Sequence, residues 1–155
     1  MEPAFLERID GAGIPAPLPP GGIDAALRQG EALHREVRPR HIGADYITHL
    51  RQMAREGAHL TQLVHEGEVC AIAVWRTYLT TYVGRRFEID DLVTAEGERS
   101  KGHGATLLAA LEAKARSLAC DAVLLVSGTW RVDAHRFYFR QRFTINAFQF
   151  IKELG

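Results

Sequence analysis

Gly102 and Gly104 stand one residue apart in the run Arg99-Ser100-Lys101-Gly102-His103-Gly104-Ala105, between an extended apolar stretch at 89–94 and a helical pattern starting near Ala105. Glycines at a strand-to-helix turn let the backbone come close to a ligand, and the helix that follows aims its unbonded N–H groups at the same point. Such a turn can hold phosphate, and Arg99 and Lys101 place positive charge beside it. Just upstream, Glu88 and Asp90 occupy alternate strand positions and so share a face, whereas Asp91 is expected on the opposite face. Two carboxylates at a strand end are either solvated, salt-bridged groups or a place for a proton to go. His34, His41, His49, His59 and His65 show no metal-ligand spacing, so no metal is expected.

The elements that must position these residues can be read from periodicity. Residues 11–22 are rich in glycine and proline and form a loop or an ordered extended arm. Asp24 is expected to cap a helix through Ala25, Leu27, Leu33 and Val37 that ends before Pro39. A second helix is expected from about Asp45 to Glu56, with Tyr46, Ile47, Leu50 and Met53 at helical spacing and Gly57 closing it. Then the period changes. Residues 60–64 and 69–75 flank Glu66-Gly67-Glu68 as the arms of a β-hairpin, and the second arm is apolar on both faces, as suits an inner strand.

Residues 77–86 are polar-aromatic and their register is open; the next strand runs from about Phe87 to Thr94 into the glycine turn. Leu107, Leu108, Leu111 and Ala115 then mark the apolar stripe of a helix over 105–118, followed by a short strand at 122–126. Strand, turn, helix and strand from 89 to 126 make a βαβ unit, whose two strands are expected to be parallel neighbours. A last helix is expected over 132–141 and an edge strand over 147–151.

Composition limits the classes of function. A chain of 155 residues with 46% hydrophobic and 25% charged residues is expected to form one domain, residues 1–155, with a real core. Lysine plus arginine equals aspartate plus glutamate at 19 each, which argues against nucleic acid or an acidic membrane surface as the main partner. Cys70 and Cys120 lie far apart among apolar residues and are read as buried free thiols in a reducing compartment. The first ten residues carry Glu2, Glu7 and Asp10 and do not resemble a secretory signal, and no stretch nears the roughly 20 apolar residues of a membrane span, so a cytoplasmic protein is expected.

Taken together, three segments resemble the GNAT superfamily of acyl-CoA-dependent N-acetyltransferases. That family's pyrophosphate signature is Arg or Gln, two residues, Gly, one residue, then Gly or Ala, matched here by Arg99, Gly102 and Gly104. Ile89-Asp90-Asp91-Leu92-Val93-Thr94 resembles its ligand-bearing strand, and Ala134-His135-Arg136-Phe137-Tyr138 followed by Phe143 resembles its C-terminal motif. The match spans roughly 60–154. It implies an α/β (α+β) fold with a mixed, mostly antiparallel central sheet, a splayed pair of parallel strands and helices on both faces.

The resemblance also implies roles. Acetyl-CoA would serve as co-substrate, its pyrophosphate held by Arg99, Ser100, Lys101, Gly102, His103, Gly104 and Ala105, with backbone N–H groups doing most of the work and His103 chiefly a spacer. Its amide-bearing arm would pair with Leu92, Val93 and Thr94 like an added strand. Tyr138 would give a proton to the departing thiolate, and Asp90, or else Glu88, would deprotonate the amine, often through water. An N–H of Val93 or a neighbour would stabilise the oxyanion. Tyr46, Tyr78, Tyr82 and Arg76 would line the acceptor side, with a small-molecule or peptide amine as partner and room left for a homodimer.

Two positions depart from the family pattern. Arg142 stands where glycine commonly precedes the phenylalanine, so a positive-φ turn there would be strained, and Arg131 replaces a frequent asparagine. A non-catalytic acyl-CoA-binding regulatory domain of the same fold is the rival reading. A nucleotide-binding domain is excluded, because no Walker lysine follows the loop and no acidic ribose ligand stands at the expected spacing.

Overall fold

The computed structural model describes residues 4–95 and 101–155, so Arg99 and Ser100 lie outside the described residues. The elements run β1 (Leu6–Asp10), α1 (Gly22–Val37), α2 (Tyr46–Arg55), β2 (His59–His65), β3 (Glu68–Thr80), β4 (Gly84–Thr94), α3 (His103–Ser117), β5 (Ala122–Leu125) and α4 (Val132–Arg140). One sheet takes the strands in the order β1-β2-β3-β4-β5. β1 and β2 are parallel, while β2 with β3 and β3 with β4 are antiparallel. The chain divides into two units, Met1–Leu124 and Leu125–Gly155.

Local chemistry sets the element ends. Asp45 caps α2: its carboxylate accepts the N–H groups of Ile47 at 3.1 Å and Thr48 at 3.5 Å. α1 behaves differently from expectation. Its N-cap is Gly21 in the left-handed region, and Asp24 sits in the first turn, where it pairs with Arg51 instead of capping. The proline-rich arm before α1 is ordered: the Ala16 N–H donates to the Arg8 carbonyl at 2.9 Å, and the Arg8 guanidinium reaches the Pro17 carbonyl at 3.2 Å and Gln29 at 2.8 Å. β1 itself was not expected; with charges at Glu7, Arg8 and Asp10 and apolar residues only at Leu6 and Ile9, its five residues show no alternation that would signal a strand.

The hairpin of β2 and β3 turns through Glu66 and Gly67, both at positive φ, with His65 opposite Glu68. β3 then continues to Thr80, so the polar-aromatic stretch belongs to the sheet, and β4 starts at Gly84. Near that start the Arg85 N–H donates to the Asp121 carboxylate at 2.8 Å and the Asp121 N–H donates to the Arg85 carbonyl at 2.7 Å. β4 and β5 therefore set out from a common end, the parallel relation expected of the βαβ unit.

Helices cover both faces of the sheet in the first unit. On one face Leu27, Tyr46, Ile47 and Leu50 of α1 and α2 pack on Leu60, Ile72 and Val74. Each fully buried Leu or Ile contributes on the order of 1.5–3 kcal/mol. On the other, Trp75 is sealed between the rings of His59 and Phe87 and donates its indole N–H to Thr61 at 3.0 Å, and His103 of α3 lies against His65. Gly30 is where α1 comes closest: a β-carbon there would stand 2.9 Å from the Ile72 side chain and 3.0 Å from that of Gln62. Gln62 in turn donates to the Ala26 carbonyl at 2.8 Å.

The second unit holds α4 and the segment after it. Residues 147–151 form no strand and are exposed, contrary to expectation, although Phe148 and Phe150 alternate as strand residues would. Neither cysteine is in a disulfide: Cys70 is buried, its thiol donating to the Glu68 carbonyl at 3.5 Å, and Cys120 is half-buried, with burial pushing its thiol upward. Among the described residues no helix is long and apolar enough to cross a membrane.

Candidate functional site

β4 carries the residues expected to do chemistry, and a β-bulge decides where they point. Ile89 pairs with Trp75 but Asp91 pairs with Val74, so one extra residue, Asp90, is inserted between them. Paired residues share a face, and Trp75 and Val74 face opposite ways. Ile89 therefore points toward α3, while Asp91 points toward α1 and α2, as Glu88 opposite Arg76 also does. Asp91 was expected on the far face from Glu88 and Asp90; the bulge brings it to theirs. Burial alternates unbroken through Phe87, Ile89, Asp91 and Val93, which conceals the switch of face.

The two carboxylates proposed as bases each hold an arginine. Asp90 accepts from the Arg76 Nε at 2.8 Å, and Arg76 also reaches the Glu56 carbonyl at 3.4 Å. Glu88 pairs closely with Arg86, whose guanidinium lies over the Tyr78 ring at 5.3 Å. To take a proton from an amine, either carboxylate must use its second oxygen or release its arginine. The Asp90–Arg76 pair, about a third exposed on each side, is the more easily rearranged of the two, since the Glu88 and Arg86 side chains are more enclosed.

Asp91 anchors a second, deeper network that the sequence reading did not find. The His34 imidazole, 2% exposed, bonds through Nε2 to Asp91 Oδ2 at 2.8 Å and through Nδ1 to the Tyr46 hydroxyl at 2.8 Å. Arg38, just past α1, donates from Nε to Asp91 Oδ1 at 2.6 Å and from Nη2 to the Asp90 carbonyl at 3.3 Å. Burial acts to raise the Asp91 carboxyl, but the hydrogen bond from His34 and the Arg38 guanidinium outweigh it and hold Asp91 below its ordinary value. Burial, reinforced by the negative charges of Glu31 and Asp91, pushes the Tyr46 phenol far above its usual range. Tyr46, expected on the acceptor side, is instead a core residue at 1% exposure.

A faint signal for this network was present. Leu27, Gly30 and His34 follow one another at spacings of three and four, so the buried stripe of α1 runs through a histidine. A polar residue on an otherwise core-facing stripe needs partners, and those partners lie on other elements.

At the anion end, α3 begins at His103, two residues earlier than expected, with Gly102 as N-cap at φ 81° and open space where a β-carbon would stand. The first intrahelical bond runs from the Thr106 N–H to the Gly102 carbonyl, so the N–H groups of Gly104 and Ala105 precede the ladder and point out of the helix start. Lys101 is exposed beside them. His103 is 6% exposed and its ring faces His65, which leaves its backbone as the part available to an anion there. Leu92, Val93 and Thr94 lie opposite Ala73, Ile72 and Ala71 at the far end of β4. β5 has four residues against eleven in β4, so from their common start it can accompany only the first part, and the backbone of 92–94 lies past its end.

Within the second unit, Tyr138 sits on α4 at 8% exposure, its ring edge-on to Phe137 at 5.5 Å and Phe143 at 5.9 Å. Arg142 adopts φ 67°, so the chain keeps a left-handed turn at the position where the family commonly has glycine. Arg131 is the N-cap of α4 and makes no side-chain cap bond. His135 bonds the Gly128 carbonyl at 2.8 Å, and Trp130 is exposed, whereas Trp75 is core.

Comparison with known proteins bears on the family and the fold. The family model described as "Acetyltransferase (GNAT) family" matches residues 28–143. An uncharacterized N-acetyltransferase of Bacillus subtilis (strain 168), YhdJ, is 41% identical over 75 residues, a match spanning 48% of this chain and about half, 53%, of that protein. Among solved structures, a putative acetyltransferase from Agrobacterium tumefaciens str. C58 superposes with a TM-score of 0.71 at 21% identity, covering 83% of this chain and 94% of the other. A ribosomal-protein-alanine N-acetyltransferase from Brucella melitensis biovar Abortus 2308 does so with a TM-score of 0.72 at 14% identity, covering 84% and 94%. At those identities the structural likeness concerns the fold.

Proposed function

The chain belongs to the acetyltransferase (GNAT) family, and on that premise we propose that it transfers an acetyl group from acetyl-CoA to a primary amine of a small molecule or peptide, by direct attack. One observation carries the reading. α3 opens at Gly102 in a left-handed cap with N–H groups pointing outward, and the strand leading to it ends in a backbone that β5 does not reach. A pyrophosphate suits the first and an extended amide-bearing arm suits the second. A neutral chain is no obstacle, since backbone dipoles rather than net charge do the holding.

Acetyl-CoA supplies an activated thioester. Gly102, Gly104 and Ala105, with Arg99, Ser100, Lys101 and the His103 backbone, would hold its phosphates, and Leu92, Val93 and Thr94 its arm. The amine nitrogen bonds to the carbonyl carbon as the carbon–sulfur bond breaks. Asp90, or Glu88, takes up the proton lost by the nitrogen, Tyr138 gives one to the sulfur, and the phenol regains its proton through solvent. A backbone N–H near Val93 steadies the oxyanion.

A second reading, an acyl-CoA-binding regulatory domain without turnover, is favoured by the arginines that occupy Asp90 and Glu88. A thermal-shift titration with acetyl-CoA and a thiol-release assay over an amine panel separate the two. A rise in melting temperature with amine-dependent thiol release supports the enzyme; a rise with no release under any amine supports the regulator. Indifference to acetyl-CoA overturns both.

A further inference from the structure

We infer that His34 is a positioning residue for acyl transfer: held as its Nε2–H tautomer, it fixes Asp91 and, through Asp91 and Arg38, the bulge from which Leu92, Val93 and Thr94 continue. The inference rests on the reading above that this end of β4 receives the acyl-CoA arm.

The tautomer follows from donor and acceptor chemistry. An ionised carboxylate only accepts, so Nε2, at 2.8 Å from Asp91 Oδ2, must carry the proton. Tyr46 is 1% exposed as a residue and its hydroxyl, among the described residues, has no other hydrogen-bond partner, so its proton goes to Nδ1 at 2.8 Å. Polarity thus runs one way, from Tyr46 through His34 to Asp91, and meets Arg38 from the other side.

The bulge explains why such a network is placed here. A bulge is a register choice, and a slip of one residue would turn Asp91 to the α3 face and shift the pairing of 92–94. The Arg38 guanidinium spans both bulge residues, at 2.6 Å to the Asp91 carboxylate and 3.3 Å to the Asp90 carbonyl, and His34 holds the other Asp91 oxygen from inside the core. At 2% exposure the imidazole cannot reach a substrate, so it acts through the strand it pins.

Two conservative variants test this without depending on an alanine protein that fails to fold. His34→Gln can still donate to Asp91, whereas His34→Asn keeps a polar group toward Tyr46 but falls short of Asp91. Backbone hydrogen exchange at 92–94, CoA affinity by calorimetry, and turnover on whichever amine the panel identifies are measured well below each melting temperature. The expected pattern is slow exchange and near wild-type turnover for His34→Gln. His34→Asn should show faster exchange at 92–94 and a kcat lower by about tenfold, with CoA affinity within about twofold. Long-range ¹H–¹⁵N correlation in the wild type should show the Nε2–H tautomer. Equal exchange and turnover in the two variants, or the Nδ1–H tautomer or an imidazolium in the wild type at neutral pH, overturns the assignment alone. A wild type that binds no CoA overturns the acyl-transfer reading instead, and the positioning role with it.

Discussion

The His34 imidazole and the Asp91 carboxylate stand 57 positions apart in the chain and 2.8 Å apart in the fold, joining helix α1 to the bulge of strand β4. The contact is buried on both sides, with side-chain exposures of 2% and 11%. Arg38 completes the pairing of Asp91, so the acid is ionised in the folded state at pH values where a free aspartate would be taking up protons.

That lowered value has a definite consequence for stability. The folded state binds fewer protons at Asp91 than the unfolded chain does, so the network's contribution is fully present above the ordinary aspartate range and is lost as the pH falls through the folded value. Asp91→Asn should therefore destabilise the protein by about 2–4 kcal/mol at neutral pH, since it leaves a partly buried pair broken. The melting-temperature gap to the wild type should narrow on acidification. A gap of constant size from neutral pH down to pH 3 would show that Asp91 is not the titrating group.

The glycine cap gives the second test. Gly102→Ala forces a β-carbon residue to φ 81°, at a cost of about 1–2 kcal/mol, but meets no neighbour, so the protein should fold. Gly102→Glu and Gly104→Glu add a negative charge where phosphate is proposed to bind, and each should abolish the acetyl-CoA thermal shift while the apo protein still melts cooperatively. A retained shift in both glutamate variants would move the anion site elsewhere.

How far these features were legible in the sequence follows from their range. The β2–β3 hairpin, α2 with Asp45 and Gly57, and the βαβ unit around the glycine turn rest on local periodicity and turn chemistry, which a single chain displays openly. β1 was missed because five residues with Glu7, Arg8 and Asp10 among them resemble a loop. Asp91 was turned the wrong way because a bulge arises from the pairing of β3 with β4, and alternation along β4 alone does not reveal it. His34 was passed over because its partners, Tyr46 and Asp91, come from two other elements. Phe148 and Phe150 alternate as a strand would, yet form none here, since a strand exists only with a partner to pair with.

Tyr138→Phe removes one oxygen and leaves the ring between Phe137 and Phe143, so its effect on packing should be small. If the phenol protonates the leaving thiolate, kcat should drop by about 10²- to 10⁴-fold with CoA affinity unchanged. Single-turnover kinetics and calorimetry separate the two quantities. Equal turnover in the two proteins would remove Tyr138 from the mechanism and leave it a core residue of α4.

Arg142 offers a test in the opposite direction, a gain of stability. At φ 67° its β-carbon crowds the backbone, a strain of about 1–2 kcal/mol, while glycine at the same place loses about 0.4–1 kcal/mol through the greater freedom of its unfolded chain. Relief of strain exceeds that loss, so Arg142→Gly should stabilise the protein by about 0.5–1 kcal/mol. The turn it occupies closes α4, with the Arg142 N–H on the Phe139 carbonyl and the Phe143 N–H on the Tyr138 carbonyl, each at 3.0 Å. A firmer turn holds the backbone of Tyr138 more closely. Chemical denaturation should show a higher midpoint with an unchanged slope; a lower midpoint would mean that the arginine side chain makes a compensating contact worth more than the strain.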